Sequence, residues 1–185
     1  MGTRHLQTVI DKNGVERVKQ YGQWDGYPDG QGLDILKFLK YADLEKYSTE
    51  VENINPITDE QIKEHNKFVE QLNKCKLDYE EQDAAYKEKY YFLSRDCGSN
   101  IHQLIQDGNV PFVILCEDGG SWCEGFYTID LQKGTFTSEF YNKKKTYKLN
   151  KLPEIGVYLR AMGVSKLTIK KILQNETNED GNVTT

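Results

Sequence analysis

The sequence is short of the residues that most often announce a chemistry: four cysteines, three histidines, two tryptophans and four prolines in 185 residues. Nowhere does it run to the about 18–20 apolar residues that a membrane-spanning helix needs, so a transmembrane protein is not expected. Residues 1–5 carry no apolar stretch of the kind that opens a signal peptide, which points to a cytoplasmic chain. Gly2 invites N-myristoylation, but Leu6 stands where that signal requires Ser or Thr. Cys75, Cys97, Cys116 and Cys123 form no CxxC pair and lie too far apart for ordinary structural zinc spacing. Without secretion no disulfide is expected, and the four read as reduced, mostly buried thiols. The sequons at Asn175 and Asn182 then carry no meaning. No metal or cofactor is indicated.

Arginine is scarce as well. Only Arg4, Arg17, Arg95 and Arg160 stand beside twenty lysines, and the net charge is −5. Base readout and bidentate phosphate clamps favour arginine and a positive field, so a duplex-DNA binder is not expected. The run Lys143, Lys144, Lys145, Lys148 and Lys151 reads as a solvated hairpin and edge strand.

With 37% hydrophobic and 29% charged residues, the chain has enough apolar material for one folded, polar domain. Residues 3–10 and 15–22 read as strands around Asn13-Gly14, a hairpin turn in which glycine accepts positive φ. Residues 23–32 read as loop, 33–41 as an amphipathic helix and 42–47 as a second short one. Over 57–92, Thr58 with Gln61 forms a capping box. Asp59/Lys63, Glu70/Lys74 and Asp83/Lys87 are i,i+4 pairs on a long charged helix. Unbroken, that helix would run about 50 Å at about 1.5 Å per residue. It therefore projects, breaks near residues 78–82 and folds back, or packs against a second copy as a homo-oligomer seam. A short helix over 97–106 follows, with Asp96 as N-cap and Gly108 beyond its end. Strands over 110–116, 122–131, 135–141 and 146–149 form a meander. Helices over 153–162 and 165–173 close the domain, and 174–185 reads as a flexible tail. The expected fold is α+β: a mostly antiparallel sheet, made of an N-terminal hairpin and a C-terminal meander, with helices packed on one face. Residues 1–173 form one domain with a helical insertion at 57–92.

The chemistry concentrates in Gln20-Tyr21-Gly22-Gln23-Trp24-Asp25-Gly26-Tyr27-Pro28. Trp24 and Tyr27 offer flat faces for stacking, Gln20, Gln23 and Asp25 can read a ligand's edges, and the glycines admit close approach. Gly30-Gln31-Gly32 precedes a helix whose free N–H groups suit a phosphate or carboxylate. Arg4 and Arg95 are the candidate anion-holding side chains. The competing reading folds Trp24, Tyr27 and Pro28 inward as a packed Ω-loop, with Asp25 bonded to its own backbone. His5 and His102 each stand alone, more as structural residues than as bases.

Met1-Gly2-Thr3-Arg4-His5-Leu6, the Gln20-to-Pro28 string, Gly30-Gln31-Gly32, residues 93–98 and residues 123–131 together resemble a family of uncharacterised proteins found mainly in bacteriophage genomes, with relatives in fungi. The resemblance lapses over 57–92. It implies a site in the polar-aromatic loop, made of Arg4, Gln20, Tyr21, Gln23, Trp24, Asp25, Tyr27 and Arg95. It also implies a phage accessory protein working in the cytoplasm of an infected host. The expected function is binding of a small nucleotide-derived ligand such as a cyclic nucleotide, sequestering a host immune signal. The alternatives are a hydrolase acting on a phosphodiester or amide, with Asp25 or His5 as base, and a direct protein antagonist using 57–92, where nine carboxylates outnumber six lysines.

Overall fold

A computed structural model describes residues 2–180, with side chains through 176. The N-terminal hairpin forms as its residues dictate. Strand β1 (His5–Ile10) pairs antiparallel with β2 (Glu16–Gly22), and Gly14 at the turn takes φ +82°. Asp11 closes the turn: its carboxylate accepts from the amides of Asn13 (2.8 Å) and Val15 (2.9 Å) and from Arg17 Nε (2.8 Å).

The meander is β5 (Gly125–Asp130), β6 (Thr135–Phe140) and β7 (Lys143–Lys148), all antiparallel neighbours. Hairpin and meander join through β1 and β5, which run parallel, giving one five-stranded sheet of order β2-β1-β5-β6-β7. β7 is an edge strand, and its lysines are exposed. The fold is thus α+β with a mostly antiparallel sheet.

The period-two alternation of strand side chains divides the sheet into two faces. Val9, Val18, Tyr127, Ile129 and Phe136 lie on the face that packs against the helices, in a core with Leu33, Ile35, Leu36, Tyr47, Ile101, Tyr158 and Leu159. On the opposite face the register aligns Lys19, Thr8, Thr128, Thr137 and Thr146 in one row across five strands. Leu6 is buried on that face without joining the helical core. It is roofed by the 114–124 segment, where a Cβ on Gly120 would come within 3.0–3.1 Å of the Leu6 side chain.

Helices α1 (Gln31–Tyr41) and α2 (Leu44–Asn53) follow the hairpin. The long helix expected over 57–92 is two: α3 (Asp59–Lys74) and α4 (Tyr79–Tyr90), broken at residues 75–78. The Thr58/Gln61 capping box is present, and a second one, Asp78 with Glu81, starts α4. The chain folds back on itself, as Lys89 pairs with Glu64 at 2.9 Å and His65 and Phe68 pack on Tyr90. No residue of α3 is buried, whereas α4 buries Tyr90 and pairs Lys87 with Asp96, so α3 is the outer helix of the hairpin.

Three further expectations are corrected. Helix α5 (Asn100–Gln106) starts after Ser99, and Asp96 is not its cap. Of the apolar run 110–116 only β4 (Phe112–Val113) is a strand, paired parallel with the short β3 (Asn55–Pro56). Ile114 and Leu115 are exposed. After α6 (Ile155–Ala161), α7 (Lys166–Asp180) continues well past residue 173, and Lys37 holds Glu176 against α1. The remainder of the expected tail, 181–185, with the Asn182 sequon, lies outside the described residues.

Candidate functional site

The loop after β2 is pinned at both ends by backbone bonds. Gly26 donates to Thr3 O (2.9 Å), Gln23 donates to Arg95 O (3.1 Å), and the buried hydroxyl of Tyr127 donates to Gly26 O (2.9 Å). Gly26 is required here, since a Cβ would meet the Arg4 carbonyl oxygen at 2.7 Å. Asp25 sits at φ +53°, a left-handed conformation rare outside glycine, and its carbonyl accepts from Gln31. Its carboxylate makes no bond to its own backbone among the described residues, unlike the packed Ω-loop reading. A held, non-glycine φ of this kind is a form of stored strain often found at binding sites.

Trp24 is fixed on two sides and open elsewhere. Its ring lies against Gly2, where a Cβ would come within 2.2 Å of the indole Cε3. Its Nε1–H donates to Asp96 Oδ1 at 3.0 Å, and Asp96 is held in turn by Lys87 at 2.9 Å. Lys87, and to a lesser degree the indole N–H, keep the Asp96 carboxyl below its ordinary pKa against the opposing effect of burial. About half of Trp24 remains exposed, at 48%. Beside it, Arg95 is exposed, and its guanidinium has no hydrogen bond or ion pair among the described residues.

Tyr21 and Arg4 complete this corner of the sheet. The Tyr21 hydroxyl donates to Gln23 Oε1 at 2.6 Å, and burial raises its pKa. Arg4 is already committed. Its Nη2 and Nε reach Glu124 at 2.7 and 3.3 Å, and its backbone amide donates to the same carboxylate at 2.7 Å. The guanidinium–carboxylate hydrogen bond raises the Arg4 pKa and is the largest cause of the lowered Glu124 pKa. Arg4 therefore acts as a latch between β1 and the 114–124 segment rather than as a free anion clamp.

Two expected ligand contacts lie elsewhere. Gln20 points to the helical side, where its amide nitrogen donates to the Phe92 carbonyl at 2.7 Å. Tyr27 packs on Phe140, 5.6 Å between ring centroids, and lines a hollow of about 220 Å³ with Pro28, Met162 and Thr168. No ring contact joins it to Trp24 among the described residues, so the two rings do not form one platform. The α1 start is closed as well. The amides of Gln31, Gly32, Leu33 and Asp34 donate to the carbonyls of Asp25, Tyr27 and Gly30, leaving none for a phosphate.

Neither histidine singled out as a candidate is placed for surface chemistry. His5 is 1% exposed with its ring over Gly22, and burial lowers its pKa to about 4. His102 is equally enclosed, bonded to the Tyr47 hydroxyl at 2.8 Å and lowered to about 3. The thiols are quiet too. Of the four, Cys97 alone is buried, and burial pushes it to about 12 and Cys123 to about 11, so both stay protonated at neutral pH. No cluster of three potential metal ligands occurs among the described residues, and no helix among them is long and apolar enough to cross a membrane.

Of the residues singled out in the sequence, the fold gathers Arg4, Tyr21, Gln23, Trp24 and Arg95 at one corner. Sequence reading missed Gly2 and Lys87, 22 and 63 positions from Trp24, and Glu124, 120 positions from Arg4, which shape that corner. Comparison with family models, with curated proteins and with solved structures finds no match to this chain.

Proposed function

We propose that this protein binds a small, planar, anionic ligand derived from a nucleotide at the corner formed by Trp24 and Arg95, and acts by sequestering it. In the phage setting implied by the family resemblance, the ligand is a host immune signal and the protein counters the defence. One observation carries the reading. Trp24 is half-exposed yet held by Gly2 behind it and Asp96 at its N–H, next to Arg95, whose guanidinium makes no hydrogen bond or ion pair among the described residues and acts on Asp96 and Tyr21 only through its charge. A pre-oriented aromatic face loses little freedom when a ring stacks on it, and a free guanidinium suits a phosphate.

Binding is favoured over hydrolysis because, apart from the Asp25 carboxylate, the groups a hydrolase would use are spent. His5 is enclosed and neutral, Arg4 is neutralised by Glu124, and the α1 amides are occupied. Titration calorimetry against cyclic dinucleotides and cyclic ADP-ribose isomers tests the proposal. Binding by one of them, weakened by about 1–3 kcal/mol in Trp24→Ala and lowered further in Arg95→Gln, is the expected result. Absence of heat with the whole panel sinks it. Chromatography of the bound ligand after long incubation separates sequestration, which leaves it intact, from cleavage.

A further inference from the structure

A second hollow lies between α6 and α7, lined by none of the residues that line the Tyr27 hollow. It is an open depression of about 480 Å³, within the range of small-molecule clefts (about 300–1,000 Å³). Its floor is apolar. Ile169 is buried there and Leu173 forms a wall, packed toward the bare backbone of Gly156. Its rim is cationic: Arg160, Lys166 and Lys170 surround it. None of the three makes a hydrogen bond or ion pair among the described residues.

The exposed lysines of β7 form the other cationic cluster of this chain, but they lie on an edge strand with no apolar hollow beneath them among the described residues. The net charge is −5, and many of its other cations are committed, as Arg4 is to Glu124, Arg17 to Asp11, Lys37 to Glu176 and Lys87 to Asp83 and Asp96. Three unpaired cations kept together repel one another, and an anion relieves that repulsion. The anion must carry an apolar body, because Ile169 and Leu173 make the floor and wall beneath the cations and Gln174 is the one uncharged polar side chain among the lining residues. It must also be short. α6 has seven residues and is about 10 Å long, which accommodates one acyl or aryl group rather than a helix laid along it.

We infer that the α6–α7 hollow is a binding site for a small anionic amphiphile, an acyl or aryl carboxylate whose tail covers Ile169 and Leu173 while its charge meets Arg160, Lys166 and Lys170. The site is independent of the Trp24 corner and stands or falls separately from it.

The test titrates the full-length protein with octanoate, with 1-octanol as the uncharged control and with inorganic phosphate as the tailless one, followed by amide NMR shifts. Octanoate is expected to saturate at one equivalent, with shifts at Gly156, Arg160, Ile169 and Leu173, and to bind at least tenfold more tightly than either control. Arg160→Gln combined with Lys170→Gln should weaken octanoate at least tenfold and leave 1-octanol unchanged, since both side chains are solvent-exposed and can be replaced without disturbing the core. Leu173→Gln should weaken both. Trp24→Ala should change neither. Equal binding by the charge-depleted variant, shifts scattered away from α6 and α7, or phosphate binding as tightly as octanoate would each overturn the inference. So would tight binding to phosphatidylglycerol vesicles that octanoate does not displace.

Discussion

Trp24 and Asp96 are 72 positions apart in the chain and 3.0 Å apart in space, with the indole N–H donating to a carboxylate that Lys87 holds from the other side. Through this pair the aromatic loop after β2 is tied to the end of the helical hairpin. The chain thereby turns a surface tryptophan into a ring of defined orientation.

Asp96→Ala should release that ring. In a Trp122→Phe background, which leaves Trp24 as the sole tryptophan, acrylamide quenching should rise and fluorescence anisotropy should fall. The stability change should stay within about 0.5–1 kcal/mol because all three partners touch solvent. Unchanged quenching would show that Asp96 does not orient Trp24.

Asp11 should matter far more than its place in a turn suggests. Burial opposes its charge, yet bonds from Arg17, Val15 and Asn13 outweigh that and hold its carboxyl below the usual carboxylate range. Asp11→Ala strips three partners from a fully buried side chain and is expected to cost about 2–3 kcal/mol in urea denaturation. Asp11→Asn, which keeps the oxygen facing Asn13 and Val15, should cost about half as much.

The two enclosed histidines predict acid sensitivity. Their folded-state pKa values, about 4 for His5 and about 3 for His102, lie below the ordinary value near 6.5, and burial is the main cause. The unfolded chain therefore takes up protons first, and stability falls as pH drops below about 6.5. By pH 5 each histidine should account for a loss of about 2 kcal/mol. Asp11, with a depressed carboxyl, adds a further loss only at still lower pH. Urea midpoints at pH 7.5 and 5.0 measure the effect, and His102→Gln should flatten the difference by about half. Equal stability at the two pH values would contradict the enclosure of both rings.

Gly32 offers a prediction that runs against helix propensity. It sits in the first turn of α1, where alanine would ordinarily gain about 1 kcal/mol. A Cβ there would lie 2.2 Å from the Tyr158 hydroxyl and 2.7 Å from Tyr127 Cε1, both in the core. Gly32→Ala should therefore lose about 1–3 kcal/mol net, read as a lowered Tm. A raised Tm would mean that the tyrosines move aside freely.

Local signals carried a good part of the fold. Asn13-Gly14 marked the hairpin, Thr58 with Gln61 marked the start of α3, and Gly108 with φ +76° follows α5 as its position implied. These features depend on neighbours within about four residues, which is why they can be read along the chain. The break at residues 75–78 was harder, because charge pairs run through both halves of 57–92. The decisive cap, Asp78 with Glu81, competes with an uninterrupted helical pattern. The run 110–116 misled for a different reason: apolar content suggested a strand, but only two of its residues find a hydrogen-bonding neighbour strand.

The sequence alone determined the class of fold, the positions of the turns and caps, and the concentration of aromatic and amide side chains in 20–28, since each of these follows from short-range backbone preference or composition. Tertiary structure decided which of those side chains are available. It set β1 beside β5 in parallel and brought Glu124 to Arg4. It turned Gln20 and Tyr27 away from Trp24 and filled the α1 amides with the loop's own carbonyls. Whether a charge is free or neutralised depends on distances of a few ångströms between residues far apart in the chain, and only the packed sheet and helices set those distances.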